Sequence, residues 1–359
     1  MTRPACVVID PCAARHNLAR VRAYAPAARV MAVVKADGYG HGLVRMARAF
    51  ADADALGVAC AEEALALRQA GVDAPVVLLE GAFDADELAA IRGRGIAVVV
   101  HHEGQVEMLE HAPTGPPLKV WVKLDTGMHR LGFEPRLAGA LHARLSACAN
   151  VAPRLGFMTH LACSHAPADH SVDRQIEAFQ AATRGLDVER SIANSGAVIA
   201  WPGAHCDWVR PGLMLYGASP LDDRTGADFD LRPVMTLRSE LIAVRWIDAG
   251  ETVGYGGTWR SPERMPIGVI AMGYGDGFPR HAQSGTPALV DGARAQLIGR
   301  PSMDMLCVDL RACPRAQVGA PVVLWGRGLP VEEIARHAQT VPYQLMCSVK
   351  MRARFVEDG

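Results

Sequence analysis

Lys35 closes an apolar run and opens a glycine-rich one, reading Ala32-Val33-Val34-Lys35-Ala36-Asp37-Gly38-Tyr39-Gly40-His41-Gly42. An amine placed there is expected to be poorly solvated, which favours the neutral form and makes the nitrogen a nucleophile able to condense with an aldehyde. A lysine that snorkels from a strand end into water fits the same residues equally well. Two further segments, Asn194-Ser195-Gly196 and Arg210-Pro211-Gly212-Leu213, combine a hydroxyl, a cation and glycines that let backbone N–H groups approach a ligand. That set suits an anion such as phosphate. Lys123, Asp125 and His160 add an amine, a carboxylate and an imidazole at the ends of other apolar runs.

The elements that must position these groups are eight β-branched runs, at residues 30–36, 56–60, 76–80, 96–100, 120–125, 156–161, 191–194 and 207–210. Segments rich in Ala, Leu and Glu lie between them, among them 61–70, 84–92 and 173–184, with the spacing of amphipathic helices. The alternation predicts a parallel sheet with crossover helices, and eight strands close a (β/α)8 barrel. Reactive groups then gather at the carboxyl ends of the strands: Lys35 on the first, Lys123 and Asp125 on the fifth, His160 on the sixth, Asn194 and Ser195 on the seventh, Arg210 on the eighth. Barrels of this kind often bind phosphate after strands seven and eight. A lysine able to condense with an aldehyde, beside a phosphate cradle, is the pair of features that pyridoxal phosphate requires. Neither alone carries the assignment.

Beyond a polar, Asp-containing stretch at 220–230 the texture changes to β runs at 236–246, 267–272, 288–298, 305–310 and 322–325, and only 331–339 reads as helical. The expected fold is therefore α/β, an N-terminal barrel over residues 1–225 followed by a mostly β domain over 226–359. At 359 residues the chain is long enough for two cores. Half of it is apolar, yet no run reaches the ~18–20 residues of a membrane crossing. Residues 1–10 lack the pattern of an export signal, so a cytoplasmic location is expected. Nine cysteines without a CxxC pair fit neither a disulfide framework nor a zinc knuckle. Lys plus Arg number 37 against 38 Asp plus Glu, which leaves no field for nucleic acid or an anionic membrane and points to a small-molecule partner. His160, His165 and His170, five apart, share no helical face and match no metal-ligand spacing, and neither do His101 and His102, so no metal is expected.

The motifs AVVKADGYGHG (32–42), KLDTGMHRLG (123–132), THLA (159–162), NSG (194–196), DWVRPGLMLYGASP (207–220), VGYG (253–256), GYGDGFP (273–279) and GRPSMDM (299–305) stand in the order found in bacterial alanine racemases. The chain resembles that family from end to end. The resemblance implies an isomerase that interconverts L-alanine and D-alanine with pyridoxal 5'-phosphate, supplying D-alanine for peptidoglycan or degrading it, as a homodimer with shared active sites.

By the same resemblance Lys35 carries the cofactor covalently, Tyr39, Ser195, Gly212 and Leu213 hold its phosphate, and His160 and Asn194 adjoin it. Arg210 corresponds to the arginine that faces the pyridine nitrogen and keeps it unprotonated, which weakens the ring as an electron sink and limits decarboxylation and transamination. Arg130 corresponds to the contact with the phenolic oxygen and the substrate carboxylate. Lys123 matches a position often carbamylated, where the resulting anion steadies Arg130. Racemisation needs a base on each face of the α-carbon, here Lys35 and, from the partner subunit, Tyr255. A tyrosine with an ordinary pKa near 10 needs neighbouring cations or hydrogen bonds to release its proton, and His160 and Arg210 match the residues that assist it. Met303, through its N–H, and Asp304 match the partner-chain elements that shape the carboxylate pocket. Tyr274 matches an entry-corridor residue.

Three departures stand out: Met351 replaces a tyrosine that touches the phosphate in some relatives, Arg352-Ala353-Arg354 replaces the usual Arg-Val-Pro ending and suggests a different path for the last strand, and Ser302 stands where many relatives have cysteine. Alternatives are a racemase of broader specificity, a pyridoxal-phosphate decarboxylase on the same architecture, which Arg210 disfavours, and a non-catalytic pyridoxal phosphate carrier, which the second domain disfavours.

Overall fold

The computed structural model describes residues 3–349 and 352–358. A first strand, β1 (Cys6–Ile9), precedes eight parallel strands that close a barrel: β2 (Arg29–Val33), β3 (Ala55–Val58), β4 (Val76–Leu78), β5 (Ile96–Val100), β6 (Val120–Lys123), β7 (Gly156–Met158), β8 (Glu189–Asn194) and β9 (Trp208–Arg210). Strands β3 to β7 are buried along their whole length, because helices cover one face and the barrel interior the other. This is why they read in the sequence as continuous apolar runs. The helices Ala61–Gln69, Ala85–Ile91 and Ser171–Ala182 occupy the three segments expected to be helical.

The barrel interior is packed. Met31, Val77, Val99, Trp121, Met158 and Trp208 form its own apolar cluster, with the two indoles edge to face at 6.0 Å. Gly156 makes room for them, since a Cβ there would lie 2.2 Å from the Trp121 ring. Glu189 closes the amino-terminal end, accepting from Arg29 Nη2 and Lys119 Nζ at 2.6 Å each, while the Arg29 guanidinium lies 4.3 Å over the Trp208 ring. With one end sealed, the other, where the strands finish, is left for chemistry.

The second unit is built on β10 (Met235–Ile247), followed by the hairpin β11 (Thr252–Val253) and β12 (Trp259–Arg260), then β13 (Met265–Ile270), β14 (Pro287–Val290), β15 (Ala293–Ile298), β16 (Leu306–Asp309), β17 (Pro321–Trp325) and β18 (Arg354–Glu357). The long strand β10 pairs with β17 in its first half and with β13 in its second, on either side of a bulge, so that β10, β13, β16, β15, β14 and β17 follow one another around a ring.

Four details differ from expectation. The stretch 288–298 is two strands, because Asp291, at φ 50°, and Gly292 turn the chain between them. A second helix, Pro342–Ser348, follows Val331–His337, with Pro342 in its first turn. Within the range 1–225, β1 belongs to the second unit's sheet: it pairs antiparallel with β10 and parallel with β18. Its alternating burial, with Val7 and Ile9 inward, suits an edge region rather than a barrel strand. The chain end after Arg352 forms β18 on the far side of β1. Met351 lies outside the described residues.

Candidate active site

Lys123, Asn194 and Arg210 are the last residues of their strands, while Lys35 and His160 follow β2 and β7 by two residues. They meet in one cavity of about 530 Å³ lined also by Tyr39, Arg130, Ser195 and Gly212, together with Val33, Leu79, Glu80, Leu131, Met158 and Tyr343. Four cations face one carboxylate, that of Glu80. The cavity therefore suits an anionic ligand.

Arg210 is buried and held from three directions: Nη1 donates to Ser191 Oγ at 2.6 Å, and Nη2 to the carbonyls of Thr159 and, at 3.3 Å, Ile192. Burial pulls this guanidinium down to about 10, so it remains a cation at neutral pH, fixed by neutral oxygens rather than by a carboxylate. Lys123, 9% exposed, is pulled to about 8 by burial and by the nearby charges of Arg210, Arg130 and Lys35. The more enclosed amine is thus Lys123; Lys35 is only half-buried. His160 is held well below its ordinary value by burial and then by the field of Arg210, so its ring is neutral near pH 7.

In the same cavity, Ser195 Oγ accepts the N–H groups of Gly212 (2.8 Å) and Met214 (3.4 Å). Gly212 is required here, since a Cβ would lie 2.5 Å from Tyr39 Oη. The hydroxyls of Ser195 and Tyr39 and the Gly212 backbone therefore converge on one corner. Leu213 lies just outside it, on a neighbouring cavity of about 430 Å³ that shares His160, Asn194, Ser195 and Tyr343. Asn194 caps the helix Ser195–Ala200, accepting from Ala197 N at 3.2 Å and from Ser164 Oγ at 2.7 Å.

Tyr39 reaches this corner through an unusual backbone. Ala36, Asp37, Gly38 and Tyr39 all adopt left-handed conformation, with φ of 55°, 54°, 60° and 51°. For non-glycine residues this costs about 1–2 kcal/mol each. Such strain persists only where the surroundings over-determine it, and it clusters at functional sites. Arg130 is presented by a loop that Asp125 organises: Oδ1 accepts from the N–H groups of Gly127, Met128 and His129 at 3.0, 3.1 and 3.0 Å. Asp125, at a strand end, is thus a loop-building carboxylate.

Tyr255, Tyr274, Met303 and Asp304 do not line the Lys35 cavity in the same chain. Tyr255 sits on the turn between β11 and β12 and is 71% exposed. Tyr274, Met303 and Asp304 form a separate cluster in which Tyr274 N donates to the Ser302 carbonyl and Gly275 N to that of Met303. Met303 is 53% exposed, and its own N–H has no acceptor among the described residues. Arg3 fastens the cluster, with Nη1 on Asp276 Oδ1 and Nη2 on the Asp304 carbonyl, at 2.5 Å each, and Arg352 pairs with the Asp304 carboxylate. Ser302 Oγ donates to the Met305 carbonyl at 2.8 Å and accepts its N–H, a local turn in place of a thiol.

Glu80, Leu79, Leu131, Met158 and Tyr343 were not singled out from the sequence. Tyr343 stacks beside Tyr39, ring centroids 5.6 Å apart, and reaches the cavity from the unexpected helix. Pro342 before it was the available signal for a helix start.

Comparison with known proteins agrees across the whole chain. The family described as alanine racemase, N-terminal domain, matches residues 9–220, and alanine racemase, C-terminal domain, matches 234–357. The alanine racemase of Nitrosococcus oceani is 54% identical over 346 residues, 96% of this chain and 97% of that protein. The biosynthetic alanine racemase of Escherichia coli K12 is 51% identical over 349 residues, 97% of each chain. The crystal structure of the biosynthetic alanine racemase from Pseudomonas aeruginosa superposes with a TM-score of 0.97 at 44% identity, covering 100% of both chains.

Proposed function

The chain belongs to the alanine racemase family, a family of isomerases, and from this premise we propose that it interconverts L-alanine and D-alanine with pyridoxal 5'-phosphate as cofactor and with two opposed bases. The observation that carries the reading is the cavity at the barrel mouth, which Lys35 lines together with three other cations and with the corner formed by Tyr39, Ser195 and Gly212.

The residues present fit that cofactor. Tyr39 Oη, Ser195 Oγ and the Gly212–Leu213 backbone would hold the phosphate, the Gly212 N–H being turned from Ser195 Oγ to do so, Lys35 Nζ would bind the cofactor covalently, and Arg210 would face its ring nitrogen. Arg210 cannot accept a proton and is held by neutral oxygens, so it offers the ring nitrogen no acid partner. This favours proton transfer over decarboxylation, which gains from a protonated ring. When bound, pyridoxal phosphate acts as an electron sink that lets the substrate α-carbon give up its proton.

Lys35 Nζ takes or returns that proton on one face, and Tyr255 Oη of the second subunit does so on the other. Arg130 and the Met303 N–H of the second subunit hold the substrate carboxylate. His160, neutral in the field of Arg210, relays that cation's influence to the tyrosine. Lys123 is a candidate for carbamylation, because its amine is already half neutral near pH 8 and its surroundings favour a negative group beside Arg130.

The test is the circular-dichroism signal of L-alanine incubated with the protein and pyridoxal phosphate. It should decay to zero with the native chain and persist with Lys35→Ala. A persistent signal with the native, cofactor-loaded chain would refute alanine as substrate, and the same assay with serine or a basic amino acid then tests the broader racemase.

A further inference from the structure

The left-handed turn 36–39 is fastened at both ends by side chains that do not line the cavity. Glu63, in the first turn of the helix Ala61–Gln69, accepts the Ala36 N–H on Oε1 at 2.7 Å and the Ala59 N–H on Oε2 at 2.8 Å. One carboxylate thereby ties the peptide following Lys35 to the loop after β3. A charged acceptor makes these bonds stronger than neutral ones.

At the other end His41, fully buried, places Nδ1 2.9 Å from the Tyr39 carbonyl oxygen. A carbonyl only accepts, so Nδ1 carries the proton and donates. Nε2 is then a bare lone pair, and it has no partner among the described residues. Burial holds this imidazole down to about 4, in keeping with a single neutral tautomer. The ring packs against Tyr216, centroids 4.7 Å apart, and the Tyr216 hydroxyl in turn donates to the Val33 carbonyl at the end of β2 at 3.0 Å.

We infer that Glu63 and His41 are positioning residues for the cofactor: Glu63 sets the backbone from which Lys35 projects, and His41 sets the backbone that carries Tyr39 to the phosphate corner. This rests on the pyridoxal phosphate reading above. The two clamps act on different ends of one turn, so their loss has different signatures. Glu63→Gln replaces one acceptor oxygen with an amide donor, leaves one of the two N–H groups unpaired and loosens Lys35. His41→Phe keeps a ring of similar size, leaves the Tyr39 carbonyl without its donor and loosens the phosphate corner.

The experiment is an absorbance titration of each apoprotein with pyridoxal phosphate and with phosphate-free pyridoxal, alongside thermal unfolding of the apoproteins. Glu63→Gln should weaken both ligands on the order of tenfold, and His41→Phe should weaken pyridoxal phosphate by a similar factor while leaving pyridoxal nearly unchanged. Native affinity for both ligands in both variants would overturn the inference. So would an equal loss for both ligands in both variants accompanied by a lowered apoprotein melting temperature, the mark of general destabilisation. A Lys35→Ala control that binds pyridoxal phosphate as tightly as the native chain would instead refute the cofactor reading.

Discussion

Lys123 is the residue where charge and chemistry are most tightly coupled. As an unmodified amine it is pulled from 10.5 to about 8, so the folded chain binds its proton less readily than the unfolded chain does. Stability therefore rises with pH between about 8 and 10.5 and is depressed by about 3 kcal/mol below that window. Carbamylation removes the cation and the penalty together. Incubation with bicarbonate near pH 7.5 should raise the melting temperature of the native chain, and labelled bicarbonate should give a carbamate carbon resonance that disappears in Lys123→Ala. A resonance that survives in that variant would place the modification elsewhere. Lys35, Lys123 and Arg210 were legible in the sequence because residues at or just past strand ends face the barrel mouth, whereas Arg130, on a loop, was reached only through the family resemblance. The carboxylate of Glu80 and the ring of Tyr343 were not singled out: Glu80 ends the run 76–80 and was open to the same strand-end reading, while Tyr343 comes from a helix beyond the one expected at 331–339.

Two irregular elements stand out, one lining the cavity and one outside it, and both depend on contacts distant in sequence. Nothing in Ala36, Asp37 or Tyr39 announces a left-handed turn, since only Gly38 favours it; the conformation is imposed by partners such as Glu63, 27 residues away. The barrel strands were legible because they are buried on both faces, whereas the hairpin at 291–292 was missed although Asp291-Gly292 between apolar runs is itself a hairpin signal. The Tyr274 and Met303 cluster is the second such element. Its fully buried Asp276 carboxylate is met by Arg3 at 2.5 Å and by Arg352 at 3.6 Å, ties to the two ends of the chain that no local pattern reveals. If this cluster forms the carboxylate pocket, Arg3→Ala should raise the KM for alanine on the order of tenfold with kcat within about twofold, as expected when binding shared by ground and transition states is lost. An unchanged KM would detach the cluster from the substrate.

At the scale of the whole molecule, the cavity around Lys35 and the exposed Tyr255 lie on different parts of one chain. The cations gather at the barrel mouth, while Tyr255, Met303 and Met305 stand exposed on the second unit. Under the proposed two-base reading, a two-fold dimer would bring each chain's Tyr255 to the other's Lys35. No helix among the described residues is long and apolar enough to cross a membrane. The decisive measurement is complementation between Lys35→Ala and Tyr255→Phe chains, each inactive alone, co-expressed with different tags. Half of the randomly paired dimers carry both variants, and each such dimer holds one site with an intact Lys35 and an intact Tyr255, so activity should return to about a quarter of the native value. Purified mixed dimers with no racemase activity would show that both bases belong to the same chain, contradicting the shared site.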